Sequence, residues 1–335
     1  MINVATIGTN FIVDWFISAV QTIPSLHYHT VYSRNPETAL AFKEKHGAQA
    51  IETDLLALAQ NPEINGVYIA SPNSCHYEQA LLMLSHGKHV LCEKTITTNA
   101  AQLARLITLA EEQHLVLMEG MRALFTPGFQ KMTAALPRLG TIRRVSFQYC
   151  QYSSRYDHFK KGIVENAFNP ALSNGALMDI GVYCIHPLVK LFGAPQKIVA
   201  EGIRLKNGVD GAGTILATYD GMDAELTYSK ITDGHIPSQI QGEDGTLLLT
   251  AINRPLELKL FPRQGSPESL FSATPGKGRD LDMVGQVTEW VRLIEAGHTG
   301  ACHNQYSLMS LEIMDEARRQ IGLIFPDDDH SFQCL

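Results

Sequence analysis

Short apolar segments alternate with helix-like segments through the first 122 residues, and this alternation constrains the fold more than any other feature. The strand-like runs are INVATIG, HYHTVYS, GVYIAS, HVLCE and LVLMEG, and the helix-like runs between them include FIVDWFISAVQTI, PETALAFKEKHG, SCHYEQALLMLSHG and NAAQLARLITLAEEQH. Pro36 begins one helix-like run and Gly47 follows its end, which is the usual helix punctuation. The pattern predicts βαβ units, a parallel sheet and helices on both of its faces.

Beyond residue 122 the pattern changes to longer alternating runs that are separated by Gly, Asp and Asn turns. These runs are TIRRVSFQYCQYSS, KIVAEGIRL, AGTILATYD, MDAELTYSK, PSQIQGEDGTLLLT and LELKLF, and helix-like segments occur at GALMDIGVYCIHPLVKLFG and near the C-terminus. They predict a large, mostly antiparallel sheet with one face covered by helices. We therefore expect an α/β chain with a Rossmann domain over residues 1–122 and an α+β domain over residues 123–335, whose C-terminal helix could return to the first domain.

The composition is that of an ordinary globular protein of two domains. The chain has 335 residues, of which 45% are hydrophobic and 18% are charged, and its formal net charge is −7. A weakly acidic surface argues against nucleic acid or an anionic membrane as a partner. No apolar run reaches the roughly 20 residues that span a bilayer, and the N-terminus lacks the basic segment of a signal peptide. We expect a cytoplasmic protein.

The cysteines and histidines form no recognisable metal or disulfide motif. The six cysteines, at positions 75, 92, 150, 184, 302 and 334, have no paired close spacing, and the thirteen histidines contain no HExxH pattern. This distribution fits free thiols in a reducing compartment better than a disulfide framework or a zinc site. We expect no metal.

The turn after the first strand-like run stands where a Rossmann fold places its phosphate-binding turn. Gly8 fits the tight turn, whereas Asn10 and Val13 replace the second and third glycines of the usual GxGxxG pattern. Asn tolerates a positive φ better than most residues, but its side chain crowds a pyrophosphate. The predicted dinucleotide contacts in this turn are Gly8, Thr9, Asn10, Phe11 and Ile12.

The second strand-like run ends in YSRNP, where a site that prefers NAD has an acidic residue for the ribose 2′-OH. Ser33 and Arg34 instead offer a hydroxyl and a charged fork that suit a 2′-phosphate. The structural alternative is an exposed arginine on a loop. Taken with the turn at Gly8, the pair favours NADP over NAD.

The run GVYIAS is followed by PNSCH, again at the carboxyl end of a predicted parallel strand. Ligands in such sheets lie outside the carboxyl ends of the strands. We therefore expect Ser71, Pro72, Asn73 and His76 to lie beside the dinucleotide. The structural alternative is a Ser-Pro-Asn turn that caps a helix.

Four motifs together are typical of one family. The chain resembles the Gfo/Idh/MocA oxidoreductases over nearly its whole length, through the N-terminal turn, SPNSCH, CEKT and SNGALMDIGVY. Through LMEGMRALFTPGF and YSSRYDHF it is most similar to the branch of dimeric dihydrodiol dehydrogenase and glucose–fructose oxidoreductase. The resemblance implies the fold above and a homodimer or homotetramer.

The resemblance also implies roles for three residues. Lys94 matches the family's lysine at the end of a sheet strand, Asp179 matches its helical acid, and Tyr183 matches a position that holds His or Tyr in different branches. Thr95 stands where many members have Pro. Glu93, next to Lys94, would fix the lysine and keep it charged, which adds Glu93 and Lys94 to the expected cofactor-binding residues.

These residue types form a proton-transfer set. Asp179 and Tyr183 are four residues apart in a predicted helix and would share one face. A nearby ammonium favours the phenolate of a tyrosine, so Lys94 would help Tyr183 exchange a proton with a substrate oxygen. Asp179 would orient the substrate or the lysine, and because it lies among apolar residues it needs a partner. The structural alternatives are an ion pair at a strand end, a turn cap and a core aromatic residue.

We therefore expect an NADP(H)-dependent oxidoreductase that acts on a small polyhydroxylated substrate such as a sugar, an inositol or a cyclic diol. Two alternatives stay open from the sequence. One is a regulatory protein that binds dinucleotide without turnover, which the altered glycine turn favours. The other is an enzyme that holds its cofactor tightly through an internal redox reaction.

Overall fold

The structure is a computed structural model that describes residues 1–274 and 281–330, so that Cys334 lies outside the described residues. The chain divides into two compact units. The first comprises Met1–Arg122 and Lys277–Leu308, and the second comprises Ala123–Gly276 and Met309–Leu335. From the sequence, residues 123–335 were expected to form the second domain, with a C-terminal helix that could return to the first, and in the structure the segment that ends at Leu308 belongs to the first unit.

The first unit contains a sheet of six parallel strands in the order β3-β2-β1-β4-β5-β6. This order reverses between β1 and β4, as in dinucleotide-binding folds. The interiors of the central strands are buried, because helices cover both faces of such a sheet. The strands are β1 (Ile2–Ile7), β2 (Leu26–Tyr32), β3 (Ala50–Glu52), β4 (Gly66–Ile69), β5 (His89–Glu93) and β6 (Leu117–Gly120).

Five helices connect these strands, and most of them begin at a polar capping side chain. Asn10, Asn35, Asp54 and Asn99 each accept a hydrogen bond from a backbone N–H of the first helical turn. The predicted punctuation of the second helix is confirmed, since Pro36 opens it and Gly47 follows it with φ 74°. The helices are α1 (Phe11–Val20), α2 (Pro36–His46), α3 (Leu55–Gln60), α4 (Asn73–Ser85) and α5 (Ala100–Glu112).

The second unit contains a sheet of eight strands in the order β14-β13-β12-β11-β7-β10-β9-β8. Its neighbouring strands are antiparallel except for β10 and β7, which are parallel. The strands are β7 (Ile142–Cys150), β8 (Lys197–Arg204), β9 (Asp210–Tyr219), β10 (Met222–Ser229), β11 (Ser238–Gly242), β12 (Gly245–Leu249), β13 (Glu257–Pro262) and β14 (Glu268–Ser272).

The remaining helices come after strand β6 in the chain. They are α6 (Pro127–Ala135), α7 (Ser154–Lys160), a π-helical turn at Leu177–Gly181 that continues into α8 (Val182–Phe192), α9 (Leu281–Glu295) and α10 (Ala301–Ile321). Helix α9 packs on α1, and its Trp290 is fully buried against Gly66, where an added Cβ would lie 2.6 Å from the indole ring. This packing explains why α9 belongs to the first unit. Helix α10 belongs to the first unit up to Leu308 and to the second from Met309.

The predicted fold class is confirmed, and several short elements differ from prediction. Strand β3 has only three residues and was missed, because so short a run carries no readable periodicity. The run PSQIQGEDGTLLLT forms two strands, β11 and β12, that turn at Glu243 and Asp244. The helical segment at GALMDIGVY begins with a π-helical turn instead of a regular α-helical one.

Five cysteines are described as free thiols, namely Cys75, Cys92, Cys150, Cys184 and Cys302. Within residues 1–274 and 281–330, no helix combines the length and the apolar character that crossing a membrane requires.

Candidate active site

The carboxyl edge of the six-stranded sheet gathers most of the predicted cofactor-binding residues. Gly8 follows β1, Ser33 follows β2, Ser71 lies just beyond β4, and Lys94 follows β5. Since β2, β1, β4 and β5 are consecutive neighbours in the sheet, these four strand ends lie side by side in that order. Parallel strands bind ligands at this edge where the strand order reverses.

Gly8 allows two strand ends to approach each other closely. Its φ is +116°, a backbone conformation that side chains rarely adopt. A Cβ at this position would lie 2.8 Å from the carbonyl oxygen of Ala70, at the end of β4. The turn after β1 therefore requires glycine, and it leaves the backbone bare where a dinucleotide phosphate would approach.

Asn10 caps helix α1 and does not take over the role of a glycine. Its φ is −90°, so its backbone has an extended conformation that any residue adopts. The Asn10 Oδ1 accepts a hydrogen bond from the Ile12 N–H at 3.0 Å, and its Nδ2 donates one to the Ala70 carbonyl at 2.9 Å. The side chain thus fastens the turn after β1 to the end of β4. Phe11, the next residue, is 57% exposed and contacts the edge of Trp15.

The end of β2 lies beside an open groove of the first unit. Ser33 accepts a hydrogen bond from the Asn35 N–H at 3.3 Å, and Arg34 is exposed. The groove has a volume of about 410 Å³ and is lined by Thr9, Glu37, Thr38, Ala41, Phe42 and Lys45. The sequence analysis identified Thr9 and missed the α2 residues, because they face the turn only through the packing of α2 beside α1.

His76 joins two of the loops at this edge. It is 1% exposed, its Nδ1 lies 2.9 Å from the Thr95 carbonyl oxygen, and its Nε2 lies 2.9 Å from the Ser71 carbonyl oxygen. Burial lowers the pKa of its imidazole. Both ring nitrogens therefore face the protein's own backbone and make His76 a link between the loops after β4 and β5, while its place beside a dinucleotide stays a prediction.

A buried carboxylate stands before Lys94. Glu93 is 8% exposed and accepts a 2.6 Å hydrogen bond from the Tyr68 hydroxyl on the neighbouring strand. Burial raises the pKa of the Glu93 carboxyl, while Tyr68 and the charges of Lys94 and Arg122 act in the opposite direction. Lys94 itself is half-buried, and its peptide bond to Thr95 is cis. Glu93 is thus held within the sheet, and the ammonium of Lys94 stands at the sheet's edge.

A second buried acid supports the loop that follows Lys94. Glu119, on β6, is 4% exposed and accepts a hydrogen bond from the Ile96 N–H at 3.0 Å. With His76 on the Thr95 carbonyl, this contact fixes both polar groups of the Thr95–Ile96 peptide, which follows Lys94 directly. The backbone that carries Lys94 is therefore fixed by residues from two neighbouring elements.

The second unit carries the other two predicted catalytic residues. Asp179 lies in the π-helical turn, and Tyr183 lies in the first turn of α8. Tyr183 is 5% exposed and contacts the Tyr149 ring edge to face, with 5.7 Å between ring centroids. A single π-helical turn inside an α-helix occurs frequently at functional sites.

Asp179 has the partner that its apolar surroundings require. The Nζ of Lys230 donates a hydrogen bond to Asp179 Oδ2. Only 6% of the Lys230 side chain is exposed, against 28% for Asp179. The sequence analysis predicted that this acid needs a partner and missed Lys230, although the strand-like run MDAELTYSK ends with it.

One group of potential metal ligands occurs in the described part of the chain. Ligand atoms of Glu289, Cys302 and His303 lie within 4.8 Å of one another. However, the Glu289 carboxylate forms a two-point ion pair with Arg292 and a 2.8 Å contact with His303, and these partners lower the Glu289 pKa to about 2. The negative charge of Glu289 is therefore already compensated by a fixed cation.

Comparisons with known proteins cover nearly the whole chain. Residues 2–121 match the model of an oxidoreductase family with an NAD-binding Rossmann fold, GFO_IDH_MocA, and residues 131–248 match the model of the GFO/IDH/MocA C-terminal domain. The chain is 44% identical over 330 residues to scyllo-inositol 2-dehydrogenase (NADP(+)) IolU of Bacillus subtilis (strain 168), covering 98% of this chain and 99% of the relative.

Two further comparisons extend this result. Trans-1,2-dihydrobenzene-1,2-diol dehydrogenase of Macaca fuscata fuscata is 28% identical over 326 residues, covering 94% of this chain and 95% of the relative. A solved structure of a 3-ketoreductase from Actinomadura kijaniata, in complex with NADP and TDP-benzene, has a TM-score of 0.84 at 23% identity. That comparison covers 96% of this chain and 98% of the other, and it shows a common fold.

Proposed function

The chain belongs to the Gfo/Idh/MocA family of oxidoreductases, and from this premise we propose that it is an NADP(H)-dependent dehydrogenase of small polyols. The observation that carries the proposal is the convergence of the Gly8 turn, Arg34 and Lys94 at one edge of the parallel sheet. A dinucleotide fits this edge, because Gly8 leaves the backbone bare and the N-terminus of α1 can receive a phosphate. When bound, the nicotinamide supplies or accepts the hydride.

Arg34 is proposed to read the 2′-phosphate of NADP(H). It is exposed just after β2 in the position where NAD-preferring sites hold an acid. Its guanidinium can form two parallel hydrogen bonds to a phosphate. The relative IolU, which is named for NADP(+), supports this choice of cofactor.

Lys94, Tyr183 and Asp179 are proposed to handle the substrate. The ammonium of Lys94 would bind the oxygen on the substrate carbon that is oxidised or reduced, and would stabilise negative charge on that oxygen. The Tyr183 hydroxyl would pass a proton to or from that oxygen, and the Asp179 carboxylate would orient a neighbouring substrate hydroxyl. Pairing with Lys230 keeps Asp179 ionised, so that it acts as a hydrogen-bond acceptor.

The substrate class is proposed to be a cyclic polyol, with scyllo-inositol as the first compound to test. The support comes from the 44% identity to scyllo-inositol 2-dehydrogenase over nearly the whole of both chains. The more distant diol dehydrogenase acts, by its name, on a cyclic trans-diol. Neighbouring ring hydroxyls are the feature that the two substrates have in common.

Initial-rate measurements test the proposal. The protein is assayed with NADP⁺ and separately with NAD⁺ against scyllo-inositol, myo-inositol, glucose and a cyclic trans-diol. We expect turnover of at least one polyol and a higher kcat/KM with NADP⁺. Absence of turnover with every polyol and both cofactors would overturn the proposal and return the chain to the alternative of a dinucleotide-binding regulator.

The structure weakens the observation that favoured that regulator. The altered glycine turn suggested a damaged phosphate site, but Asn10 has φ −90° and caps α1, so its side chain belongs to the architecture of the turn. The other alternative, an enzyme that holds its cofactor tightly, can be distinguished from a dehydrogenase that exchanges it. A tightly held cofactor would remain with the purified protein and exchange slowly.

A homo-oligomer is proposed to form through the open face of the eight-stranded sheet. Val199 on β8 and Leu216 on β9 are directly paired across the strands and are 47% and 53% exposed, and Ile203 is 58% exposed. Exposed apolar patches of this kind mark interaction sites. We expect Leu216→Glu to shift the mass of the protein in solution toward the monomer, whereas Ile236→Glu, at a 72% exposed loop residue, leaves it unchanged. A monomeric wild type would overturn this assignment.

The described cysteines support the proposal of a reducing compartment, the cytoplasm. All five are free thiols, and Cys302 is exposed to any oxidant. An exposed free thiol is stable only where thiols are kept reduced.

A further inference from the structure

Lys230 is a buried cation in the second unit that the reaction proposed above does not use directly. Its side chain is 6% exposed and its Nζ donates to Asp179. On another side it faces the Phe168 ring, with 5.7 Å between Nζ and the ring centroid. A buried lysine needs compensating negative charge. Asp179, whose side chain is 28% exposed, is not the only carboxylate near Lys230.

Asp210 is the second carboxylate near Lys230. The register of the β9–β10 hairpin pairs Ser229 with Ala212, and the Lys230 N–H then donates to the Gly211 carbonyl at 2.9 Å. Lys230 at the end of β10 therefore lies beside Asp210 at the start of β9. The charge of Lys230 lowers the pKa of Asp210, although burial raises that pKa to about 6.

Asp210 also anchors the helical turn that carries Asp179. It is fully buried, and its Oδ2 accepts a 2.7 Å hydrogen bond from the Leu177 N–H, the first residue of the π-helical turn. Gly175 makes this contact possible, because a Cβ there would lie 2.1 Å from Asp210 Oδ1. Asp210 thus touches the start of the turn, and Lys230 touches its acidic side chain.

The other ionisable group that faces Asp210 is Tyr228 on β10. Burial raises the pKa of the Tyr228 hydroxyl, and the charge of Asp210 raises it further, so Tyr228 stays neutral. The charged groups that the described contacts bring together here are one ammonium and two carboxylates, those of Lys230, Asp179 and Asp210. The ammonium is hydrogen-bonded to Asp179 and acts on Asp210 through space, so its effect on Asp179 depends on the charge of Asp210.

We infer that Lys230 and Asp210 are positioning residues that hold Asp179 ionised and oriented for the substrate. The role in catalysis rests on the function proposed above, whereas the coupling of the three charges does not. Lys230 is a cation that compensates Asp179, and Asp210 fixes the turn on which Asp179 lies while its own charge acts on the same ammonium. The cluster is built entirely within the second unit.

The coupling predicts opposite effects for two substitutions. Lys230→Met removes the ammonium, so the midpoint of the Asp179 carboxyl titration moves to higher pH. Asp210→Asn leaves the ammonium to Asp179 alone, so that midpoint moves to lower pH, and a titration near pH 6 disappears. A role in stability alone would not produce shifts of opposite sign.

The experiment follows the aspartate carboxyl carbons by ¹³C NMR in the full chain, with Asp179→Asn to assign the resonance. Lys197→Met, at an exposed lysine on β8, is the matched control and should shift nothing. If Lys230→Met does not fold, Lys230→Arg and Asp210→Asn carry the test, since the arginine keeps the charge and should keep the Asp179 midpoint. An Asp179 midpoint that is unchanged in both Lys230→Met and Asp210→Asn would overturn the inference, and if Lys230→Met does not fold, an unchanged midpoint in Asp210→Asn is sufficient to overturn it.

Kinetics then separate the inference from the proposed function. With the polyol found in the rate measurements, Lys230→Met should lower kcat/KM by about 10²-fold, the loss expected from a small misplacement of an acting group. Lys230→Arg should recover part of it, and NADP(H) affinity should stay unchanged. If wild type turns over no polyol, the proposed function fails, while the NMR titration still decides whether the three charges are coupled. Wild-type kcat/KM in Lys230→Met would overturn the positioning role.

Discussion

Tyr68 donates a 2.6 Å hydrogen bond to the buried carboxylate of Glu93, the residue that precedes Lys94. The two residues lie on the neighbouring strands β4 and β5, so the contact fixes the end of β5 from within the sheet. Glu93 is therefore part of the core, whereas Lys94 stands at the carboxyl edge of the parallel sheet.

The first prediction concerns this hydrogen bond. In the folded protein the pKa of Glu93 is raised above its ordinary value of 4.5, mainly by burial. The folded state then binds this proton more tightly than the unfolded chain, so the contribution of Glu93 to the free energy of unfolding falls as pH rises from 4.5 to the raised pKa. Tyr68→Phe removes a contact that lowers this pKa, so its destabilisation should grow as pH rises from the Glu93 pKa of the wild type to the still higher Glu93 pKa of the variant. We expect a loss of about 1.5–3 kcal/mol at neutral pH and less near pH 4.

Urea unfolding at acidic and neutral pH measures this difference, and Tyr28→Phe is the matched control. The Tyr28 hydroxyl is also buried in the first unit, but it contacts the neutral hydroxyl of Thr6 at 3.0 Å. Its loss should therefore be nearly the same at both pH values. Equal pH dependence of the two variants would show that the Tyr68 contact does not stabilise the charge of Glu93.

The second prediction contrasts the two unusual positions of the turn after β1. Gly8→Ala places a Cβ 2.8 Å from the Ala70 carbonyl oxygen at a φ of +116°, so it should destabilise the first unit by about 1–3 kcal/mol and abolish dinucleotide binding. Asn10→Gly removes two hydrogen bonds and relieves no strain, so it should cost about 0.5–1.5 kcal/mol without tightening binding. Thermal unfolding and fluorescence titration measure both. Tighter NADP(H) binding by Asn10→Gly would show that its side chain obstructs the phosphate.

The third prediction concerns cofactor choice. Arg34→Ala should weaken NADP(H) binding by about 1.5–3 kcal/mol, the range for hydrogen bonds to charged groups, and leave NAD(H) binding nearly unchanged. Arg105→Ala, at an exposed arginine on α5, is the control and should alter neither affinity. Fluorescence titration of both cofactors against the wild type and the two variants gives the dissociation constants. Equal losses for both cofactors would exclude Arg34 as the reader of the 2′-phosphate.

The fourth prediction concerns proton transfer. Lys94→Ala and Tyr183→Phe should each lower kcat by about 10²–10⁴-fold, with NADP(H) affinity nearly intact, because each removes a group that acts on the reacting oxygen. The loss of kcat in the double variant should be much smaller than the product of the two single losses, since the two residues are proposed to act together. Lys131→Ala and Tyr156→Phe are the matched controls. A Lys94→Ala enzyme with near wild-type kcat would reduce CEKT to a structural turn.

The first unit could be predicted largely from the sequence, because its signals are local. Strands and helices alternate with clear periodicity. Parallel pairing brings the residues after Ile7, Tyr32 and Glu93 to one edge of the sheet, whatever the order of the strands. Gly8 could be predicted in the same way, since a turn from strand to helix at this point favours glycine. Strand β3 was missed because three residues show no period.

The contacts that set the chemistry could not be predicted, because they depend on register and orientation. Lys230 reaches Asp179 because β10 packs on the π-helical turn, and no spacing in the sequence reveals that packing. The two backbone carbonyls that face the ring nitrogens of His76 were not predicted either, because they belong to two loops that are distant from each other in sequence. Asn10 was interpreted as a replacement for glycine, and its backbone conformation shows that it is a helix cap.

The most direct test of the central claim follows the hydride itself. The protein is incubated with NADP⁺ and scyllo-inositol that carries deuterium on its ring carbons, and the reduced cofactor is analysed by mass spectrometry and NMR. We predict that one deuterium appears at C4 of the nicotinamide, together with an inosose, and that Lys94→Ala slows this transfer by about 10²-fold or more. Reduced cofactor without deuterium, or no transfer from any deuterated polyol, would contradict the account.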